Sequence, residues 1–217
     1  GAYDDPAETS MRIFAAADQT GIALTHLPVL YRYGLFGGGD AEPGQRRFLN
    51  DSDAFAYLVE RMKPAIGAQP DHILGAAAHS LRAISPELLV DLAGLLPDAP
   101  LHIHIAEQTR EVEECLAWSG KRPVEWLLEN HELDSRWCLV HATHMTDAET
   151  KALAKSGAIA GLCPTTEANL GDGLYPFESF QAAGGAFGIG SDSHVSIDPF
   201  EELRLLDYGQ RLIHRRR

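Results

Sequence analysis

Four side chains suited to catalysis or metal binding lie where hydrophobic, strand-like runs give way to polar loops: His79, His104, His141 and Asp192. The runs are HILGAAAHS, PLHIHIAEQ, WCLVHATHM and AFGIGSDSH. Active sites of parallel β/α barrels are built at the carboxyl ends of the strands. We therefore expect the four side chains to converge at one mouth of a parallel sheet, and imidazoles with a late aspartate suggest a divalent metal.

A histidine pair and a glutamate occupy the run PLHIHIAEQ. His102 and His104 are two residues apart, so a strand would point both side chains to the same face. Glu107 follows in the loop, where it would place a carboxylate able to move protons beside a metal-binding imidazole. The alternative is a hydrogen-bonded core histidine beside a surface glutamate.

Two further strand ends offer proton-transfer groups. His141 and His144 flank the end of WCLVHATHM, where either could act on a substrate or serve the structure alone. Asp192 follows an apolar strand and is surrounded by small residues that let a ligand approach. An aspartate there can ligate zinc and can accept a proton from a zinc-bound water.

An arginine follows the strand end in AAAHSLRAI. The planar guanidinium of Arg82 could bind a substrate carboxylate through two parallel hydrogen bonds. A salt bridge at a helix cap is the competing interpretation.

Composition narrows the class of protein. The chain has 217 residues, 45% of them hydrophobic, 23% charged, and a formal net charge of -13. Such a charge argues against nucleic acid or an anionic membrane as partner. No apolar run approaches the roughly 20 residues that span a bilayer, and no secretory signal is evident before the first helix. The three cysteines lack CxxC spacing, so we expect neither a zinc knuckle nor a disulfide scaffold. A reducing, cytoplasmic location fits this pattern.

Strand-like and helical patterns alternate along the chain, which predicts an α/β fold of six strand–helix units preceded by one helix. The first half contains a helix over Pro6–Thr20, the strand IALTHLPVLY, a long loop YGLFGGGDAEPG, a helix over Asp53–Lys63 interrupted by Pro64, the strand HILGAAAHS, and a helix with Ser85 as N-cap and Pro86 in its first turn. The second half contains the strands PLHIHIA, WCLVHAT, AIAGLCPTT and AFGIGSD and the helices QTREVEECLAWSG, RPVEWLLENHE, TDAETKALAKSG (N-cap Thr146), FESFQAAG and DPFEELRLLDYGQRLI.

The order of these motifs resembles the metal-dependent amidohydrolase superfamily, in its aminohydrolase branch. The similarity rests on H-x-x-E, VHATH and GSDS, and on the segments AAAHSLRAI, LHIHIAEQTREVEECLAWSGKRPVEWLLEN and CPTTEANLGDGLYP. The segment CPTTEANLGDG is typical of deiminases of linear amidines, whereas related nucleobase and triazine deaminases carry an asparagine-containing CPxSN version.

The resemblance implies a TIM-like (β/α)8 barrel whose third to eighth strands are present, so that residues 1–217 form one partial barrel domain. In that family one zinc ion is held by an H-x-H pair on the first strand, a histidine on the fifth and an aspartate on the eighth. The last two match His104 and Asp192, whereas His102-Ile103-His104 matches the fifth strand and not the first. We therefore expect the first-strand H-x-H and the family's small β-domain to be absent.

The resemblance also assigns roles. Zinc would acidify a water, Asp192 and His141 would help to deprotonate it, and Glu107 would carry protons to the departing ammonia. Substrate contacts are assigned to His79, Arg82 and Tyr31, which implies a small-molecule substrate with carboxylates and a homodimeric enzyme. Two alternatives stay open: a guanine- or triazine-type deaminase, and a non-catalytic barrel fragment.

Overall fold

Short strands and helices alternate along the chain in a computed structural model, which describes residues 3–67 and 70–217. The chain divides into two compact units, the first ending at Leu101 and the second beginning at His102. The assignment of residues 1–217 to one partial barrel domain stays a prediction. None of the helices within the described residues is both long and apolar enough to cross a membrane.

The first unit combines three α-helices with short parallel strands. Its elements are α1 (Glu8–Thr20), β1 (Leu24–His26), β2 (Val29–Leu30), a 3-10 helix (Pro43–Phe48), α2 (Ser52–Ile66), β3 (His72–Leu74), β4 (Ala76–Ser80) and α3 (Pro86–Leu95). Strand β1 pairs in parallel with β3, and β2 pairs in parallel with β4. Each predicted strand here is thus two short strands, separated at Leu27–Pro28 and at Gly75. Pro28 has no backbone N–H to donate to a ladder, which explains the first break.

The prediction that Pro64 interrupts the second helix was wrong, because α2 continues through Pro64 to Ile66. A proline costs one hydrogen bond to the carbonyl four residues earlier. The buried face of α2 nevertheless extends past it, with Val59, Met62 and Ile66 at helical spacing. Packing of this apolar face outweighs the lost bond at the last turn of the helix.

The second unit contains four parallel strands and six helices among the described residues, and the first residue of its first strand, Leu101, ends the first unit. The elements are β5 (Leu101–Ile105), α4 (Thr109–Ser119), α5 (Pro123–Asn130), β6 (Trp137–His141), α6 (Asp147–Ser156), β7 (Ile159–Leu162), α7 (Pro164–Leu170), α8 (Phe177–Ala182), β8 (Ala186–Ile189) and α9 (Pro199–His214). The strands neighbour one another in chain order. Cys138 pairs with Ile159, and Ala160 pairs with Phe187.

The predicted strand AIAGLCPTT is shorter than expected, and its end is helical. Strand β7 stops at Leu162, and α7 begins at Pro164. Proline at the first helical position has a backbone angle already suited to a helix and no N–H left unpaired. This helix brings the CPTTE segment to the carboxyl end of the sheet in the second unit.

Burial along β5 alternates as a two-sided strand requires. Leu101, Ile103 and Ile105 are buried, whereas His102 and His104 are half-buried. Successive side chains of a strand point to opposite faces. The two histidines therefore share one face, as predicted, and the aliphatic side chains form part of the core on the other.

Candidate active site

The polar side chains of the second unit lie at the carboxyl ends of its strands. His104 is in β5, His141 ends β6 and Asp192 follows β8. The backbone is left-handed at His141 (φ 67°), Ala142 (φ 46°) and Asp192 (φ 47°). A non-glycine residue in that region costs about 1–3 kcal/mol and is found where packing enforces it, often at functional sites. Strained turns thus orient the side chains of His141 and Asp192 at the ends of their strands.

His141 is the centre of the cluster and is only 1% exposed. Its Nδ1 lies 3.2 Å from Oε1 of Glu167. On the other side of the ring, Nε2 lies 3.5 Å from Oε1 of Glu107 and 4.0 Å from Oδ2 of Asp192. One imidazole therefore lies among three carboxylates. Burial alone would lower the pKa of His141, but the bond to Glu167 and the three negative charges raise it.

The ring of His104 stacks on that of His141, with centroids 5.7 Å apart and planes inclined by 24°. The structure thus brings His104, Glu107, His141 and Asp192 together, although they come from three separate strand ends. Their individual roles stay predictions.

The loop that carries Glu107 is held by a second glutamate. The Glu111 carboxylate accepts hydrogen bonds from the backbone N–H groups of Ala106 (2.9 Å) and Glu107 (3.0 Å). Burial raises the pKa of Glu107, and the nearby His141 partly offsets this increase. The negative charges of Asp172 and Asp192 raise the pKa further. A carboxyl group with a raised pKa keeps its proton to higher pH than a free glutamate does, which suits it to act as a general acid.

Two carboxylates of the cluster were missed in the sequence. Glu167 is 3% exposed and Asp172 8% exposed, and Asp172 accepts a hydrogen bond from Nε2 of Gln108 (3.0 Å). Both belong to CPTTEANLGDG, a segment that drew attention only as a family marker. Acidic residues in a helix and a glycine-rich loop are usually solvated, so only the tertiary structure shows their burial.

The predicted substrate contacts lie in the first unit. The rings of Tyr31 and His79 meet edge to face, with centroids 4.5 Å apart, and both line a cavity of about 370 Å³ together with Val29 and Phe48. Nε of Arg82 is buried without a hydrogen-bond partner among the described residues. The salt bridge considered as an alternative for Arg82 is not seen in the part of the chain that the structure describes. The convergence of His79 with the histidines of the second unit stays a prediction.

The residues described do not complete a zinc site. Across positions 3–67 and 70–217, no group of three or more histidine, cysteine, aspartate or glutamate side chains is arranged to hold a metal ion. A catalytic zinc takes three protein ligands, whereas only His104 and Asp192 were predicted as donors. We expect metal binding by these residues alone to be weak.

Comparison with solved structures confirms the α/β fold. A crystal structure of an amidohydrolase from Brucella melitensis matches 99% of this chain with a TM-score of 0.97 and 57% sequence identity, while 48% of that chain is covered. An adenosine deaminase from Xanthomonas campestris, described with bound zinc, matches 93% of this chain with a TM-score of 0.75 and 22% identity, which shows the fold alone. Parallel strands with alternating helices thus form part of a TIM-like barrel, of which about six strands are present.

Sequence comparison places the chain in a family. It is 56% identical over 216 residues to formimidoylglutamate deiminase of Pseudomonas aeruginosa, a match that covers 99% of this chain and 48% of the relative. The chain therefore spans about half the length of that curated relative. The sequence profile of the amidohydrolase family matches residues 57–215. The chain belongs to the amidohydrolase family.

Proposed function

We propose that the protein carrying this chain hydrolyses N-formimino-L-glutamate to N-formyl-L-glutamate and ammonia, a step of histidine degradation. The observation that carries this proposal is the set of carboxylates around His141: Glu107, Glu167 and Asp192. The relative from Pseudomonas aeruginosa, a formimidoylglutamate deiminase, supports the same reaction.

The charge of the cluster suits the reacting group. A formimino group is an amidine, which is a cation when protonated, and carboxylates stabilise a cation nearby. A neutral heteroaromatic ring would gain less from that many acidic groups. The cluster thus favours a linear amidine over the ring of a guanine- or triazine-type substrate.

The residues of the cluster divide into proton acceptors and a proton donor. Asp192 and Nε2 of His141 face the same space and would accept a proton from the attacking water. Glu107, whose pKa is raised by burial, would deliver a proton to the departing nitrogen. General acid–base catalysis of this kind contributes typically about 10²–10⁴-fold to a rate.

Arg82 supports a substrate that carries carboxylates. Its unpartnered, buried Nε leaves a guanidinium hydrogen bond to be made, and a carboxylate is the acceptor that fits a guanidinium best. Tyr31 and His79 are proposed as further contacts to the glutamate part, because they line the cavity of the first unit.

Zinc dependence is a further part of the proposal. Structural neighbours described with zinc support it, but His104 and Asp192 fall short of a full ligand set. The missing donors would have to come from protein outside this chain. We also propose that the enzyme is a cytoplasmic homodimer. We propose that it has no nucleic-acid or membrane partner, because the net charge of -13 on this chain opposes binding to an anionic surface.

A second candidate is an adenosine-type deaminase. A 5-methylthioadenosine/S-adenosylhomocysteine deaminase of Nitratidesulfovibrio vulgaris is 35% identical over 158 residues, which cover 70% of this chain and 36% of that relative. The test is ammonia release by the purified full-length protein from N-formimino-L-glutamate and from 5-methylthioadenosine. We expect turnover of the first only. Turnover of the nucleoside without turnover of the amidine would refute the proposal.

A further inference from the structure

Glu167 is a buried glutamate that contacts His141 from the side opposite to Glu107 and Asp192. Its Oε1 lies 3.2 Å from Nδ1 of His141 and accepts a hydrogen bond of 2.9 Å from the backbone N–H of Cys163. The side chain of Glu167 is 4% exposed and that of His141 is 1% exposed. Neither group can turn to water for another partner, so the contact is a fixed part of the second unit.

The shared oxygen determines which ring nitrogen carries a proton. Oε1 accepts from the Cys163 N–H through a lone pair, and the oxygens of an ionised glutamate act only as acceptors. A hydrogen bond from His141 to that oxygen therefore requires a proton on Nδ1. The other nitrogen, Nε2, faces Oε1 of Glu107 at 3.5 Å and Oδ2 of Asp192 at 4.0 Å.

We propose that Glu167 is a positioning residue that keeps a proton on Nδ1 of His141, so that only Nε2 exchanges protons with the reactants. The side chain of Glu167 is separated from the reacting groups by the imidazole ring and acts through it. A buried carboxylate that holds the working tautomer of a histidine has a large effect in the Ser-His-Asp triad, where an amide in its place turns a donor towards the ring, gives the wrong tautomer and lowers kcat by about 10⁴-fold. The catalytic consequence rests on the proposed deiminase function, whereas the tautomer does not.

The direct test is nuclear magnetic resonance of the full-length protein labelled with ¹⁵N in its histidines. The signals of His141 are assigned by their loss in His141→Asn, and the spectrum is recorded at a pH where the neutral ring dominates. We expect a protonated Nδ1 and a bare Nε2. A protonated Nε2 with a bare Nδ1 in the wild type would overturn the proposal, whether or not the protein is a deiminase.

Two substitutions of Glu167 and a matched control test whether Glu167 determines the tautomer of His141. The amide oxygen of Glu167→Gln still accepts both hydrogen bonds, so Nδ1 stays protonated, whereas Glu167→Leu lets the proton move to Nε2. The control is Glu202→Gln in α9, because Glu202 is also buried and binds the N–H (2.9 Å) and hydroxyl of Thr165 in the same helix α7. We expect the control to keep the wild-type tautomer.

Steady-state kinetics distinguish a role in positioning His141 from a general loss of structure in the site. With N-formimino-L-glutamate as substrate, Glu167→Leu should lower kcat by about 10²-fold or more with KM nearly unchanged. Glu167→Gln should keep most of the activity, because the Cys163 N–H holds the amide oxygen, and not the amide nitrogen, towards Nδ1 of His141. A Glu167→Leu variant that keeps Nδ1 protonated would overturn the proposal, as would a Glu202→Gln variant that shifts the tautomer equally. Should the leucine variant fail to fold, the wild-type and glutamine spectra still decide, since a bare Nδ1 in either contradicts the assignment.

Discussion

His141 organises the candidate site because its two ring nitrogens face different carboxylates. One nitrogen contacts a buried acceptor in helix α7, and the other faces the side chains of Glu107 and Asp192. The strand-end positions of His104, His141 and Asp192 were readable from the sequence, because apolar runs end there. The contribution of Glu167 was not, because the pairing of a buried helix carboxylate with a histidine 26 residues earlier depends on tertiary packing.

Arg82 should determine affinity for the anionic part of the substrate. We expect Arg82→Ala in the full-length protein to raise KM for N-formimino-L-glutamate by about 10–100-fold, because a charged hydrogen bond contributes roughly 1.5–3 kcal/mol. Steady-state ammonia release measures this. Arg12→Ala is the control, since Arg12 is 81% exposed and pairs with Glu8 in α1. An Arg82→Ala enzyme with wild-type KM would contradict the assignment.

The three cysteines should be unreactive in the folded protein. Burial raises the pKa of Cys115 and of Cys138 to about 11 and also raises the pKa of Cys163. Since the thiolate is the reactive form, a thiol reagent at pH 8 should label none of the three until the protein is unfolded in urea. Mass spectrometry of the labelled peptides gives the answer for each site. Rapid labelling of any of them in the native state would show that the burial is wrong.

At the scale of secondary-structure elements, helix α6 has a capping box that links it to its neighbour. Oγ1 of Thr146 accepts from the N–H of Glu149 at 3.2 Å, and the Glu149 carboxylate accepts from the N–H of Thr146 at 2.7 Å. The same carboxylate accepts from Nε of Arg122 at 2.8 Å, and Arg122 also donates to the carbonyl of His144. The cap therefore helps to hold the loop after His141.

Removing this cap should destabilise the protein measurably. We expect Thr146→Ala to lower the free energy of unfolding by about 1 kcal/mol, because the helix loses an N-cap acceptor. Thr146→Ser keeps the hydroxyl and should lower the free energy of unfolding much less. Urea denaturation of the two variants side by side tests this, and equal stability of alanine and serine at this position would be the contrary result.

Element types were more predictable than element boundaries. Ser85 and Thr146 cap helices as their sequences indicate, with Ser85 accepting from the N–H of Leu88 at 3.3 Å. The continuation of α2 through Pro64 and the start of α7 at Pro164 were not foreseen. Pro64 was expected to interrupt its helix, as proline usually does, but packing of the apolar face of α2 carries the helix past it. Pro164 was included in a strand, although proline is well suited to the first position of a helix, where the structure has it.

At the scale of the whole molecule, much apolar surface is uncovered in the second unit. Ile197, Phe200 and Leu212 are 79%, 71% and 78% exposed, and three of the four residues of β8 are exposed. Leaving apolar surface in water is unfavourable by roughly 25 cal/mol per Å², and an edge strand offers unpaired backbone groups to other chains. Further protein is expected to cover this surface, since the chain spans 48% of its deiminase relative.

A protein made of these 217 residues alone should therefore associate with itself. Sedimentation velocity should show oligomers or aggregates whose proportion rises with concentration, because burial of the exposed apolar faces drives association. The full-length protein is the control and should sediment as one defined species. A monomer of the 217 residues with a cooperative thermal transition would contradict the expectation that further protein covers the exposed apolar surface.

The measurement that tests the central claim most directly is the pH dependence of ammonia release by the full-length enzyme and its Glu107→Gln variant. Because the pKa of Glu107 is raised, its proton is held to higher pH than on a free glutamate and is lost as pH rises further, so wild-type kcat should decline on the alkaline side of the pKa of Glu107. We expect Glu107→Gln to lower kcat by about 10²–10⁴-fold and to lose that alkaline decline, while the exposed Glu113→Gln in α4 behaves as wild type. A Glu107→Gln enzyme that releases ammonia at the wild-type rate would show that this cluster does not perform the deimination.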